Sequence, residues 1–195
     1  MLRAIMPLRT FIAVAASPEI RQAALKLTSR LQRSETARDV KWVAAENLHW
    51  TLQFLGNVDE LNIPEVCKAV ATTALDSEAF DIEVRGAGAF PSADRPRTLW
   101  LGAGQGAREM VALQKAVERR LKKRGYRGEE RRFVPHITIG RAGRKGCPQS
   151  LADELAALAD YDAGAMLVDE ATIYSSQLGR DGPTYEVLGR APLSL

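Results

Sequence analysis

Cysteine is nearly absent from this sequence: Cys67 and Cys147 are the only two in 195 residues. They lie far apart, and neither has a second cysteine or a histidine at metal-ligand spacing, so no zinc motif or disulfide framework can be assembled from them. Free thiols in a reducing cytoplasm are the expectation, with no metal or other cofactor. No apolar run approaches the roughly 20 residues of a membrane-spanning helix, so no membrane partner is expected. Phe11–Ala16, preceded by Arg3, Pro7 and Arg9, is too short for the core of a signal peptide and reads as a first strand. Charge of one sign is not in large excess either: 27 basic against 24 acidic residues leave +3, so the whole molecule is no polycation. Two Gly-rich pieces, Gly86–Gly88 and Gly102–Gly106, lack the Gly-Lys-Ser/Thr of a phosphate-binding loop and the downstream pattern of a dinucleotide fold, and read as turns.

Histidine is equally scarce, and both copies open the same kind of tetrapeptide, His49-Trp50-Thr51-Leu52 and His136-Ile137-Thr138-Ile139. With ten threonines in the chain, a threonine falls two places after a given histidine about one time in twenty, so composition does not account for the doublet. Each tetrapeptide sits in an apolar run of period two, which reads as strand. Alternation along a strand then places His and Thr on one face while Trp50, Leu52, Ile137 and Ile139 turn into packing. The two histidines lie close to half a chain apart, a spacing that suggests two similar lobes facing one cleft.

The rest of the chain supports two such lobes. A strand at Leu8–Ala15 is followed by a helix that Ser17 caps and Pro18 starts, with Ile20, Ala23, Ala24, Leu27 and Leu31 on one face. A short strand at Val40–Val43, the first histidine strand ending at Gly56, a helix over Pro64–Leu75 and a strand through Phe80, Ile82 and Val84 complete the first half. Gly86–Arg97 is the expected crossing between lobes. The second half repeats the order: a strand at Thr98–Ala103, a helix striped by Met110, Leu113, Val117 and Leu121 and stopped by Gly125, then the second histidine strand. A helix near Leu151–Leu158, a strand near Met166–Tyr174, a turn at Gly179–Pro183 and a strand at Tyr185–Leu188 follow.

Histidine holds or releases a proton near neutral pH, so two facing imidazoles are suited to act as base and acid in one displacement. The threonine hydroxyls beside them are placed to bind the non-bridging oxygens of a phosphate, and a strained cyclic phosphate ester fits best because it is already activated. Arg141, where the second histidine strand should end, is a candidate phosphate clamp. The segment Arg119–Arg132 holds eight basic residues against Glu129 and Glu130. It reads either as a polyanion-binding stripe or as a solvated helix end whose cations complement the dipole. Trp42, Trp50 and Trp100 are candidates for base stacking, although strand tryptophans more often belong to a core.

On these residues the chain resembles the LigT-like RNA 2′,3′-cyclic phosphodiesterases of the two-histidine (2H) phosphoesterase superfamily. The resemblance runs from Arg9-Thr-Phe11-Ile-Ala through Asn47-Leu-His49-Trp-Thr51-Leu-Gln-Phe-Leu-Gly56, Ala89-Phe-Pro91 and Leu99-Trp100-Leu-Gly102 to Pro135-His136-Ile-Thr138-Ile-Gly-Arg141, Tyr174-Ser175 and Gly182-Pro-Thr-Tyr185. It implies an α+β bilobal fold: one domain over residues 1–195 made of two intertwined, pseudo-symmetric lobes, each with an antiparallel sheet and helices, around a central groove. It implies metal-independent opening of a 2′,3′-cyclic phosphate at an RNA end to a 2′-phosphate, with His49 as proton donor, His136 as proton acceptor, and Thr51, Thr138 and Arg141 binding the phosphate. Reverse 2′–5′ joining of RNA ends is the same chemistry run backwards. RNA with cyclic ends is thus the expected partner, with no obligate protein partner and a monomeric chain. A non-catalytic RNA-binding protein, a metal-dependent phosphodiesterase and an enzyme for small cyclic phosphates such as that of ADP-ribose are the competing expectations.

Overall fold

Helix α1 (Pro18–Gln32) begins where local chemistry dictates. The Ser17 hydroxyl accepts a hydrogen bond from the Ile20 amide at 3.3 Å, Pro18 occupies the first turn, and Ile20, Ala24, Leu27 and Leu31 bury one face. Helix α3 (Ala107–Lys122) buries Met110, Leu113, Val117 and Leu121, and its exit passes through Gly125 at φ +87°, a left-handed conformation that glycine adopts without strain. Helices α2 (Ile63–Leu75) and α4 (Gln149–Ala156) complete the helical set. The computed structural model describes residues 6–33, 37–92, 96–129, 131–143, 149–179 and 182–195. Among these, no helix is long and apolar enough to cross a membrane.

The strands are β1 (Leu8–Ala15), β2 (Val40–Trp42), β3 (His49–Val58), β4 (Phe80–Phe90), β5 (Thr98–Ala103), β6 (His136–Ala142), β7 (Asp162–Val168), β8 (Glu170–Leu178) and β9 (Pro183–Pro192). All neighbours are antiparallel, in the order β7-β4-β5-β6-β3-β1-β8-β9, with β2 added beside β6. The order is symmetric about its middle: β6 and β3 are the inner strands of two four-stranded halves, and they meet at one residue pair, Trp50 opposite Ile137. Both of those side chains are fully buried, in one contiguous core that takes residues from both halves and from the helices. The fold is therefore α+β with two matching halves, as expected.

Four local expectations are corrected. The stretch 86–97 does not carry the chain between halves, because Gly86–Phe90 is the end of β4, which pairs with β5 in the same half. The chain first crosses after β1, where β2 pairs with β6, returns at β3, crosses again between α2 and β4, and returns last at Asp169. The strand expected at Met166–Tyr174 is two strands, with Asp169 alone dividing β7 from β8. One residue cannot span a flat sheet, so the sheet curls until β7 and β8 come close together; no period-two pattern shows where a strand changes partners. Gly88 and Gly102 are strand residues, not turns. Trp100 lies across both, and a β-carbon on Gly88 would stand 2.5 Å from its ring. Gly56, expected to end the first histidine strand, sits within β3 at φ +71° beside a register shift, and pairing continues to Val58.

Gly88→Val is expected to lower stability by about 1–3 kcal/mol, because the added side chain must displace the indole. Urea unfolding of the variant against the parent checks this.

Candidate active site

The Trp50–Ile137 pairing decides what stands next to what. In an antiparallel register the next residues out are opposed as well, which sets His49 across from Thr138 and Thr51 across from His136. Trp50, Leu52, Ile137 and Ile139 are buried on the helix side, and the four polar side chains occupy the face that the helices leave open. Directly opposed side chains have β-carbons about 5 Å apart, and diagonal pairs about 7–8 Å. The two imidazoles are such a diagonal pair, with a hydroxyl at each remaining corner.

Strict alternation would turn Arg141 away from this face. Between Leu99 and Trp100 the β5–β6 register shifts, so that two residues of β6 advance against one of β5. Ile139 and Gly140 are then buried in succession, and Arg141 emerges on the open side. There it faces Thr98, with Nη1 3.5 Å from Thr98 Oγ1, and its charge is felt by both imidazoles and by Tyr185. Strand β3 repeats the device. Its register with β1 shifts at the same relative position, and the burial pattern of its first six residues matches that of β6.

Each imidazole is held by the carbonyl two residues before it. His49 Nδ1 donates to Asn47 O at 2.7 Å and His136 Nδ1 to Val134 O at 2.8 Å. A carbonyl can only accept, so the proton resides on Nδ1 in both neutral rings and Nε2 is left as the reactive nitrogen. His49 Nε2 lies 2.9 Å from Thr51 Oγ1 and accepts its hydroxyl proton when neutral. Burial pushes His49 down to about 4; the Asn47 carbonyl opposes this, while the positive charges of Arg141 and His136 add to it. His136 is lowered too, mainly by burial and further by Arg141, against the pull of Val134 O. Both rings are thus neutral in the free protein at pH 7, in a site biased toward an anion.

Several members of this site carry no motif of their own. Asn47 holds the ring of His49 through its carbonyl while its amide donates to Pro183 O on β9 at 2.9 Å. Phe11 packs 5.1 Å from the His49 ring and Tyr185 stands edge-on at 5.5 Å, while Phe90 stands edge-on to His136 at 5.0 Å. Lys41, on β2, is directly opposite Arg141. Phe11, Asn47, Phe90 and Tyr185 lie within the family-like segments of the sequence, but their places around the imidazoles, and that of Lys41, come from strand pairing.

Other candidates are dispersed. Trp50 is core, Trp42 lies against Gly140, and Trp100 joins Phe90 at 5.3 Å in the wall beside His136. The basic segment divides: Arg119, Arg120, Lys123 and Arg124 line a cavity of about 310 Å³ against the end of α2, where Arg120 pairs with Asp76 at 2.8 Å, while Arg127 and Arg131 border a different cavity beside β3. Cys67 is a free thiol on α2, and Cys147 lies outside the described residues.

A buried histidine with a lowered pKa destabilises the fold on acidification. Between about pH 6.5 and 4 the unfolded chain binds the proton that folded His49 refuses, so stability falls as pH drops through that window. His49→Gln, which does not titrate, is expected to lose less stability between pH 7 and pH 5 than the parent, by on the order of 1 kcal/mol. Paired urea titrations at the two pH values measure the difference.

Residues 15–180 match the family model of the 2′-5′ RNA ligase superfamily. The chain is 38% identical over 156 residues to an RNA 2′,3′-cyclic phosphodiesterase of Aeropyrum pernix, covering 80% of this chain and 87% of that protein. It is 35% identical to the Thermotoga maritima protein of the same name, covering 93% of each. Among solved structures, Escherichia coli LigT complexed with 3′-AMP superposes with a TM-score of 0.76 at 26% identity, over 97% of this chain and 99% of that one. A Thermus thermophilus protein superposes at 0.77 and 25% identity, over 95% and 98%. With most of its length matched and both His-x-Thr strands inside the matched span, the chain belongs to the 2′-5′ RNA ligase superfamily, whose solved members include LigT.

Proposed function

We propose that the protein hydrolyses RNA 2′,3′-cyclic phosphate ends to 2′-phosphomonoesters by paired-histidine acid–base catalysis. One observation carries this reading: two imidazoles on adjoining antiparallel strands present Nε2 on one open face, each with a threonine hydroxyl two residues on. Relatives bearing the name RNA 2′,3′-cyclic phosphodiesterase support it.

The cyclic phosphate sits between the imidazoles with its non-bridging oxygens toward Thr51 and Thr138 and its charge toward Arg141. His136 Nε2 takes a proton from a water, the water oxygen bonds to phosphorus, and the bond to the 3′ oxygen breaks opposite to it. His49 Nε2–H delivers its proton to that departing oxygen, leaving a 3′ hydroxyl and a 2′-phosphate. Positioning and neutralisation of equatorial charge supply most of the acceleration, with positive charge from the protonated imidazole and Arg141. The two imidazoles supply the acid and the base between them, so the reaction runs without a metal ion. The same displacement with an RNA 5′ hydroxyl in place of the water bonds that oxygen to phosphorus, expels the 3′ oxygen as a hydroxyl and leaves a 2′–5′ linkage.

The lower affinity of His49 for a proton favours a second assignment, in which His136 is the acid and His49 the base. A substrate phosphate beside His49 opposes this by stabilising its charged form. The two assignments separate on a nitrophenyl phosphodiester, whose leaving group needs no proton. His49→Ala should recover most of its deficit on that substrate if His49 is the acid, and none if it is the base.

His49→Ala and His136→Ala are each expected to cut kcat for a cyclic-phosphate-ended oligonucleotide by 10²–10⁴-fold with the fold retained, and EDTA is expected to leave the parent rate unchanged. Parent rates from either variant, loss of activity on chelation, or a 3′-phosphate product each count against the reading. Because kcat/KM follows the free protein, and the active form has one imidazole charged and one neutral, its pH profile should be a bell centred below 6.5 with the acid limb toward 4.

A further inference from the structure

The two halves of the open face match in backbone but not in chemistry. Row by row across the strands, Phe54, Phe11 and Tyr174 on β3, β1 and β8 occupy the places that Arg141, Thr98 and Phe90 hold on β6, β5 and β4. Phe11 is buried, whereas Phe54 is 49% exposed, an expense of apolar surface in the middle of a functional face. Its ring is 5.8 Å from that of Phe11, which is 5.1 Å from His49, so Phe54 lies within about 11 Å of the imidazole.

Phe54 also opens onto a cavity of about 620 Å³ between Phe54–Asn57 and the loop Gly125–Arg131. The loop is tethered to the strand by buried Gln53, whose side-chain amide donates to Arg127 O at 3.1 Å. Arg127, Arg131 and Tyr126 line it with Glu129 as the acid among them, and Arg9 stands across from Asn57 in register. This is the part of the basic segment that shares a cavity with Phe54. Arginines beside an exposed aromatic ring are the combination that single-stranded nucleic acid recognises through stacking and backbone charge.

Resting on the function proposed above, we infer that this cavity is a strand-binding subsite for the RNA upstream of the cyclic end. Phe54 stacks a base, and Arg127 and Arg131 hold the phosphodiester that ties the terminal nucleotide to the rest of the chain. A mononucleotide 2′,3′-cyclic phosphate has no such phosphodiester and gains nothing from the two arginines. The subsite therefore selects RNA ends over free cyclic nucleotides.

The test compares the parent with Arg127→Ala/Arg131→Ala and with Arg127→Lys/Arg131→Lys on a cyclic mononucleotide and on an oligonucleotide with a cyclic end. Binding of the oligonucleotide carrying a 2′-phosphate end is measured alongside by fluorescence anisotropy. The double alanine variant should lose tenfold or more in kcat/KM on the oligonucleotide and stay within twofold of the parent on the mononucleotide. Its log affinity against log salt should flatten by roughly 1.4 for two lost contacts, and the double lysine variant should recover most of the loss. Phe54→Ala should weaken oligonucleotide binding at least threefold without changing that slope. Equal losses on both substrates, or none on the oligonucleotide, overturn the subsite. If the parent turns over neither substrate but binds the oligonucleotide through the two arginines, the proposed reaction falls and the strand surface stands; if the variants also bind like the parent, both fall.

Discussion

Trp50 opposite Ile137 is the register pair by which β3 meets β6, and it sets how the two histidines and two threonines stand to one another. Both side chains are fully enclosed, and each lies between a histidine and a threonine on its own strand. Sliding one strand by one residue would bring His49 and Thr51 to the helix side and expose Trp50, which costs both the burial of apolar surface and the solvation of two polar groups. The core thereby enforces the register, and the register enforces the square of two imidazoles and two hydroxyls. The bulges in β3 and β6 follow from the same arrangement, since each re-aims the residues beyond the threonine while the apolar side chains before it stay in place.

Electrostatics in the free protein works against charge on the histidines, and this is coherent with binding an anion. Burial, Arg141 and the neighbouring ring all disfavour protonation of His49, so the site is poised with uncompensated positive potential. An arriving phosphate opposes these effects through its own negative charge at close range in a partly dehydrated site, where Coulombic interactions are stronger than in water. The carbonyls of Asn47 and Val134 meanwhile fix both tautomers, so Nε2 is the nitrogen that exchanges a proton whichever ring is charged.

Near-symmetry of backbone with divergence of side chains lets one site do two things. At the centre the halves are alike, and a displacement at phosphorus needs like groups on opposite sides. One residue row further out they differ, with Arg141, Thr98 and Lys41 on one side and Phe54, Phe11 and Tyr174 on the other. A phosphate and its organic substituent place those opposite demands on their surroundings.

Much of this was legible in the chain. Period-two alternation exposed both histidine strands, Ser17-Pro18 marked the start of α1, and the Met110–Leu121 stripe marked α3, because these features are set by contacts within a few residues. The repeated His-x-Thr and the match of Arg141 to a known family pointed to the proposed reacting groups. Phe11, Asn47, Phe54 and Phe90 lay within the family-like segments without a role assigned to them, and Lys41 lay outside those segments, because where each stands in the site is settled by strands far apart in sequence. Asp169 was silent because the Asp169-Glu170 break in alternation does not show that the pairing partner changes there. By itself the sequence determined which side chains share a face of each strand, since backbone geometry alternates them whatever surrounds the strand. Only the tertiary structure decided that the two faces coincide, that a bulge turns Arg141 toward them, and that the basic segment divides between two separate cavities. Those outcomes depend on non-local register, which is chosen by the energy of the whole core and leaves no mark in any one segment.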